Sequence, residues 1–436
     1  MKEENRRYAE EAFEIVEHAA KKIGSRLPGS DGEKEYAAYM GDKLRSIGIE
    51  PVREEFAVSP RASIGGIPYA GYLGLIMSAL VYVALHLSAV WYGMALASVV
   101  CWVWLILSVF LYKTWFDMFF KQEISQNTYG ELLPPDGKYD YTIILSGHTD
   151  TSWCWRHSAH ASKFKKTKPA MGLVATFAKV GFGVICFLFL TAVSIAMTVI
   201  SSGVYFGEVW ALKIANSASF ANFLFAMHFL PVVTAIGCMF VVMWADPNPR
   251  NASRGAMDNA TGCALSFAVT KYFHDHPEKM PKNCRIIDFN CGSEEAGLRG
   301  SIAFTREHKG EPILENTWNI NIDSVADKDF FEVVIKDDWQ FCRFDTDLEK
   351  MFKDTFNELG IVSVGGCDST PMTKAGMKSV TFAAQDPTLT YYYHTWHDMP
   401  ERFELETVGD GFDVILGVID KIDKFQQANG FNGPQK

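Results

Sequence analysis

The sequence predicts an α/β protein: a mixed twisted sheet sandwiched by helices, with two transmembrane helical hairpins, four spans in all, inserted into it. Two observations predict this. Short β-branched and apolar runs recur through a charged body, and clusters of acidic residues and histidines follow apolar runs: GHTD at 147–150, GAMDNATG at 255–262, GSEEAGLRGS at 292–301, NIDS at 321–324 and YYYHTWHD at 391–398. Among them lie three stretches with no Asp, Glu, Lys or Arg, at 62–112, 180–207 and 214–245. Runs this apolar are not loops.

Apolar positions in residues 4–24 recur at helical spacing, and a second amphipathic helix is expected over 32–47, before the strand-like PVREEFAV. Residues 62–112 hold two spans of about 20 residues each, with the turn near His86 to Gly93. Soluble character returns at Lys113 and includes the strand YTIILSG before His148. A second hairpin follows, with spans near 179–202 and 220–244 and a connecting loop carrying Glu208 and Lys213; Lys179 can snorkel to the interface. The strands RIIDFNCGS, TWNINI and SVTFAAQ then lead to Glu294, Asp323 and the loop of His394. The chain thus divides into one soluble body, built from 1–61, 113–170 and 246–436, and hairpins at 62–112 and 171–245. Trp91, Tyr92, Tyr112, Trp210 and Trp244 lie near the proposed span ends, where an interfacial aromatic belt would place them.

The 436 residues carry a net charge of −10, which argues against nucleic acid as a partner, since a phosphate-binding surface is basic. The soluble remainder is roughly 290 residues, the size of one enzyme domain. Nine cysteines without CxxC spacing cannot all pair within one chain, so a disulfide framework is not expected. The charged, helical N-terminus lacks the apolar core of a signal peptide. Lys113, Lys121, Arg156, Lys163, Lys165, Lys166 and Lys168 fall on the side that carries the motifs, whereas the two connecting loops hold only Lys213. That bias predicts a multi-pass membrane protein, with the lipid bilayer as partner and the body in the cytoplasm.

The motifs carry the chemistry. Carboxylate oxygens with neutral imidazoles suit a pair of zinc ions, and a carboxylate beside them can activate water, so the expected activity is that of a metallohydrolase. In open α/β sheets, residues distant in sequence converge at the carboxyl ends of strands, so one site explains all five motifs. Asp258, on a Gly-rich turn that leads into a helix, is the choice for a bridge offering one oxygen to each metal. On extended backbone Glu294 and Glu295 point in different directions, one toward metal and the other toward the attacking water.

The order HxD, GAxDNxxG, EExGLxGS, Asp and YHTxxD resembles the co-catalytic zinc aminopeptidases related to aminopeptidase Y, a family that also includes glutamate carboxypeptidase and the glutaminyl cyclases. The resemblance covers about 1–60 and 135–425, and includes RLPGSDGEKEYAAYM and GGCDSTPMTKAGMKSVTF. It implies a zinc-exopeptidase fold, two zinc ions and a peptide substrate. It further implies that His148 and Asp323 bind one zinc, that Glu295 and His394 bind the other, and that Asp258 bridges them. Glu294 would be the general base, and Asp150 would accept a hydrogen bond from His148 and fix its tautomer. His394 is preferred to His397 as the ligand. Asp398 reads as a turn residue or a support, and His157 and His160 as interfacial. Where the family often has His after the Asp of GGCDSTPM, this chain has Ser369 after Asp368. A glutaminyl cyclase, a non-catalytic scaffold and a transporter are the competing readings. All five ligands and Glu294 are present, against the first two, and the spans lack interior acidic residues, against the third.

Overall fold

The computed structural model describes residues 1–160, 169–356, 358–388 and 391–429. Its body is a nine-stranded sheet in the order β1-β2-β4-β3-β5-β9-β6-β7, with β8 paired to β6. The strands are β1 (Val52–Val58), β2 (Glu123–Leu132), β3 (Tyr141–His148), β4 (Cys284–Cys291), β5 (Thr317–Val325), β6 (Phe331–Asp337), β7 (Cys342–Arg343), β8 (Gly360–Val364) and β9 (Lys378–Ala384). The central strands β4, β3, β5 and β9 run parallel, while β1, β2, β6 and β7 join through antiparallel ladders. β3 and β4 are buried along their whole length, as parallel strands covered on both faces must be.

One face is covered by the helices Arg6–Glu17, Asp31–Ser46, Thr261–Asp275 and Leu405–Asn429, whose apolar stripes form the large core around Tyr8, Tyr36, Phe267 and Phe412. The helices Arg299–Glu307 and Ser369–Lys374 cover the other face, around Phe289, Phe304 and Met372. All nine cysteines are free.

Three helices, Ile64–Ala84, Ala89–Phe110 and Thr176–Tyr205, are long and apolar enough to cross a membrane. The fourth expected span is not one straight helix. It is the pair Ala218–Ala226 and Leu230–Val242, bent by 48°. Pro231 sits at the break, where its missing N–H interrupts the helical ladder. Nor is the segment joining the second hairpin a plain loop: Val209–Ala215 is a short helix that contains Lys213. The helices approach closely through small residues. A Cβ on Gly71 would lie 2.5 Å from the Val242 amide, one on Gly183 would lie 2.6 Å from the Gly237 carbonyl oxygen, and the Ser78 and Thr234 hydroxyls meet at 2.8 Å. Their outward faces carry exposed Ile76, Leu96, Ile185 and Val232.

The aromatic residues near the ends of these helices divide in two. Tyr92 and Trp210 are exposed, but Trp91, Tyr112 and Trp244 are buried, the last two against the body. Packing inside the protein takes these rings in place of the interface. Of the basic residues that set the expected orientation, Lys163, Lys165, Lys166 and Lys168 lie outside the described residues.

Candidate metal centre

Each motif residue sits where its local backbone delivers it to the carboxyl ends of the parallel strands. His148 is the last residue of β3. Glu294 and Glu295 follow β4 in a single helical turn, Glu294–Ala296, entered through Ser293 with φ 56°. This backbone is therefore not extended, as the sequence had suggested. The turn winds because both carboxylate oxygens of Asp150 accept amide protons, from Glu294 N and Glu295 N, each at 2.9 Å. Asp323 lies near the end of β5, beside a register shift between Ile322 and Val325. Asp258 precedes the Thr261–Asp275 helix on a turn opened by Gly255 (φ 57°). His394 follows β9.

These residues form two ligand trios with Asp258 in common: His148, Asp258 and Asp323, and Asp258, Glu295 and His394, with the ligand atoms of each trio within 4.8 Å of one another. His148 Nε2 lies 3.1 Å from Asp258 Oδ1 and 3.9 Å from Asp323 Oδ1. His394 Nε2 lies 2.9 Å from Asp258 Oδ2 and 3.0 Å from Glu295 Oε1. The two oxygens of Asp258 thus face different imidazoles, and Glu295 Oε1 is buried without an aligned hydrogen-bond donor. Nitrogen and carboxylate oxygen converging in threes, with a buried oxygen that no aligned donor satisfies, is a donor set that fits zinc. His157, His160 and His397 belong to neither trio.

Charge makes the same demand. Burial, with Glu295, Asp368 and Asp323 nearby, raises the Glu294 carboxyl well above its ordinary range against the pull of His148, and burial lifts Asp323 to about 7. Burial also lowers the imidazoles, but Asp150 and Asp258 outweigh it at His148, while Glu295 and Asp258 outweigh it at His394, which rises to about 10. Asp258 is held below the carboxylate range: burial opposes this, and the two imidazoles prevail. So many buried carboxylates need positive charge among them, which divalent cations would provide.

Asp150 Oδ1 lies 3.3 Å from His148 Nδ1, and the two Asp150 oxygens also hold the Glu294–Glu295 turn, a task that the sequence had not suggested. Asp398 does for Asp258 what Asp150 does for the glutamates, accepting Met257 N at 2.8 Å and Asp258 N at 3.1 Å.

Four supporting residues had no role assigned from sequence. Fully buried Arg26 donates to the carbonyls of Thr149, Arg254 and Gly255, tying the His148 loop to the Asp258 turn. Buried Glu33 accepts from the amide and hydroxyl of Ser293, at the mouth of the glutamate turn. Asp368 accepts from Cys291 Sγ and Ser301 Oγ. Tyr393 stacks on His394, with ring centroids 3.8 Å apart. Arg26, Glu33 and Asp368 lie in RLPGSDGEKEY and GGCDSTPM, so their place inside the segments that carry the resemblance was the signal available. The pocket over the two trios is walled by Tyr112, Trp155, Leu298, Glu332, Trp339 and Tyr393, and among the described residues its lining holds no Lys or Arg.

Residues 240–419 match the model of Peptidase family M28. No curated protein matches the chain. Among solved structures, the zinc aminopeptidase BSAP from Bacillus subtilis is 14% identical, with 95% of each chain covered and a TM-score of 0.52. The aminopeptidase from Aneurinibacillus sp. strain AM-1 is 11% identical (95% of this chain, 93% of that one, TM-score 0.51). A Bacteroides thetaiotaomicron glutaminyl cyclase bound to N-acetylhistamine is 13% identical (94% and 97%, TM-score 0.51). At such identities the likeness is one of fold, a mixed sheet with helices on both faces.

Proposed function

We propose that this chain, whose residues 240–419 match the model of Peptidase family M28, is a metallopeptidase of that kind: a membrane-anchored exopeptidase that removes amino-terminal residues from peptides with a co-catalytic zinc pair. His148 and Asp323 would hold one ion, Glu295 and His394 the other, with Asp258 shared. The observation that supports this reading above all is Asp258 itself, whose two oxygens each face the histidine of a different trio. Glutaminyl cyclases share the fold, and a two-metal set with a common carboxylate favours hydrolysis over the single-zinc acyl transfer. Amino-terminal rather than carboxy-terminal trimming is favoured by the pocket wall: a substrate carboxylate finds no Lys or Arg there among the described residues, whereas a free amine meets carboxylates.

When bound, the ions would polarise the scissile carbonyl and acidify water. Glu294, partly buried and facing the pocket, takes the proton from the attacking water onto its carboxylate and gives it to the departing amine nitrogen. Asp150 keeps Glu294 and Glu295 on their separate tasks by holding both amides. The hairpins at 62–112 and 171–245 place the body, formed by 1–61, 113–170 and 246–436, at a bilayer on its cytoplasmic side. Their outward apolar faces support the anchoring, and the basic residues of the body side support the orientation.

Digestion of a peptide library by the detergent-purified, zinc-loaded protein, read by mass spectrometry, tests the assignment. Single amino-terminal residues should be lost, and Glu294→Gln should be slower by about 100-fold or more with its zinc content unchanged. Trimming from the carboxyl end, or cyclisation of amino-terminal glutamine, would replace this reading.

A further inference from the structure

Tyr112 is the last residue of the first charge-free stretch, just beyond the end of the span at Phe110. Its position reads as interfacial, yet its side chain is only 6% exposed and lines the pocket above the two metal trios. Its hydroxyl is buried and has no hydrogen-bond partner among the described residues. A buried phenolic hydroxyl normally finds a partner, so one without a partner, on a residue that lines an active-site pocket, is a donor that a ligand can satisfy. Burial raises the phenol above its ordinary range, so it carries its proton at neutral pH.

The surroundings fix the ring in place. The backbone of Tyr112 is left-handed (φ 51°), and its carbonyl accepts Arg299 NH1 at 2.9 Å. Arg299 also pairs with Asp117 at 3.2 Å and belongs to the same motif as Glu294 and Glu295. The ring edge lies where a Cβ on Gly297 (φ 97°) would be 3.3 Å away, and the hydroxyl fills the place of a Cβ on Gly366 (φ 79°). Only glycine at both positions admits the ring, and both glycines line the pocket. Trp339, 6.3 Å away by ring centroids, also contacts Phe110 at the end of the span, and Gln340 donates to the Phe110 carbonyl at 2.9 Å. The start of the same hairpin contributes Ile64 to the pocket wall.

We propose that Tyr112 is a substrate-binding residue, which donates its phenolic hydrogen to a backbone carbonyl of the bound peptide. The first hairpin then completes the active site as well as anchoring it. This inference rests on the peptidase reading above.

The experiment compares wild type and Tyr112→Phe, both full-length, zinc-loaded and in detergent, on a set of X-Gly-Gly tripeptides that varies the first residue. Phe keeps the ring and its packing and removes only the hydroxyl. A single hydrogen bond predicts a fall in kcat/KM of roughly 3- to 10-fold across the tripeptides that wild type cleaves. Zinc content should not change, and the melting temperature should be equal or higher, since an unpaired buried hydroxyl is removed. A variant within twofold of wild type on every cleaved tripeptide overturns the role of Tyr112 and leaves the peptidase intact. A lower melting temperature with the same kcat/KM would make the hydroxyl structural and likewise overturn it. Wild type that cleaves no tripeptide defeats the aminopeptidase reading and the role of Tyr112 with it.

Discussion

The two ends of the molecule bury polarity in opposite ways. At the carboxyl ends of the strands, His148, Asp150, Asp258, Glu295 and Asp398 are buried together, and each carboxylate is held by amides, imidazoles or both. In the hairpins charge is absent from the apolar stretches, and the interior is closed by Gly71, Gly74, Gly183 and Gly237 with a few hydroxyl contacts. The first arrangement stores electrostatic tension that a bound cation relieves, and the second minimises any need for a partner. A polar site and apolar hairpins therefore call for opposite sequences, and the two regions meet where the hairpins leave the body. There Tyr112 enters the pocket from the first hairpin. From the second, Trp244 stacks near Trp155 (centroids 4.4 Å apart), and Trp155 donates its amide to the His394 carbonyl at 2.8 Å.

If the contrast holds, stability should respond to pH through the body and not through the spans. Asp288, fully buried on β4, is lifted to about 7 by burial, although Ser266 and Asn290 donate to it. Unfolded, it titrates at about 3.9. Between these values the native state binds the extra proton, so stability falls as pH rises through this window. The full shift corresponds to about 4 kcal/mol. Asp288→Asn should flatten the profile and gain on wild type between pH 5 and pH 8 in denaturant titrations. Parallel profiles would remove Asp288 as a source of the tension.

A smaller effect is expected one step from the metals. Asp398→Asn replaces one of two acceptors holding the Met257 and Asp258 amides with a donor, and should weaken zinc binding about 10- to 100-fold, as the loss of a ligand's support does elsewhere. Competition with a chelator measures this without any substrate. Unchanged affinity would mean that the Asp258 turn is held by Arg26 and packing alone.

The smallest effect belongs to the hairpins. Ser78→Ala breaks the contact with Thr234, and should cost only about 0.6 kcal/mol, the usual worth of such an interhelical hydrogen bond. Unfolding in detergent would report it. A loss of several kcal/mol would show that the hairpins too depend on a buried polar contact.

Much of the fold could be read directly. The strands ending near His148, Glu294 and Asp323 appear within three residues of their expected bounds, because alternating and β-branched runs between polar motifs leave few other conformations. The bend within the fourth expected span was not legible because hydropathy measures composition, and a Pro at 231 acts through geometry. Trp91, Tyr112 and Trp244 were read as interfacial for the same reason: an aromatic residue at the end of an apolar run looks alike in sequence whether it faces lipid or protein.

By itself the sequence determined which residue types were available for the site and the order in which strands, turns and apolar hairpins present them, since these follow from local chemistry and period. Only the tertiary structure decided that Asp150 and Asp398 hold neighbouring amides, that Arg26 ties two loops together from 123 and 229 residues away, and that Tyr112 turns into the pocket. Those outcomes depend on distances across a sheet whose order departs from chain order, and periodicity along one strand or helix carries no information about them.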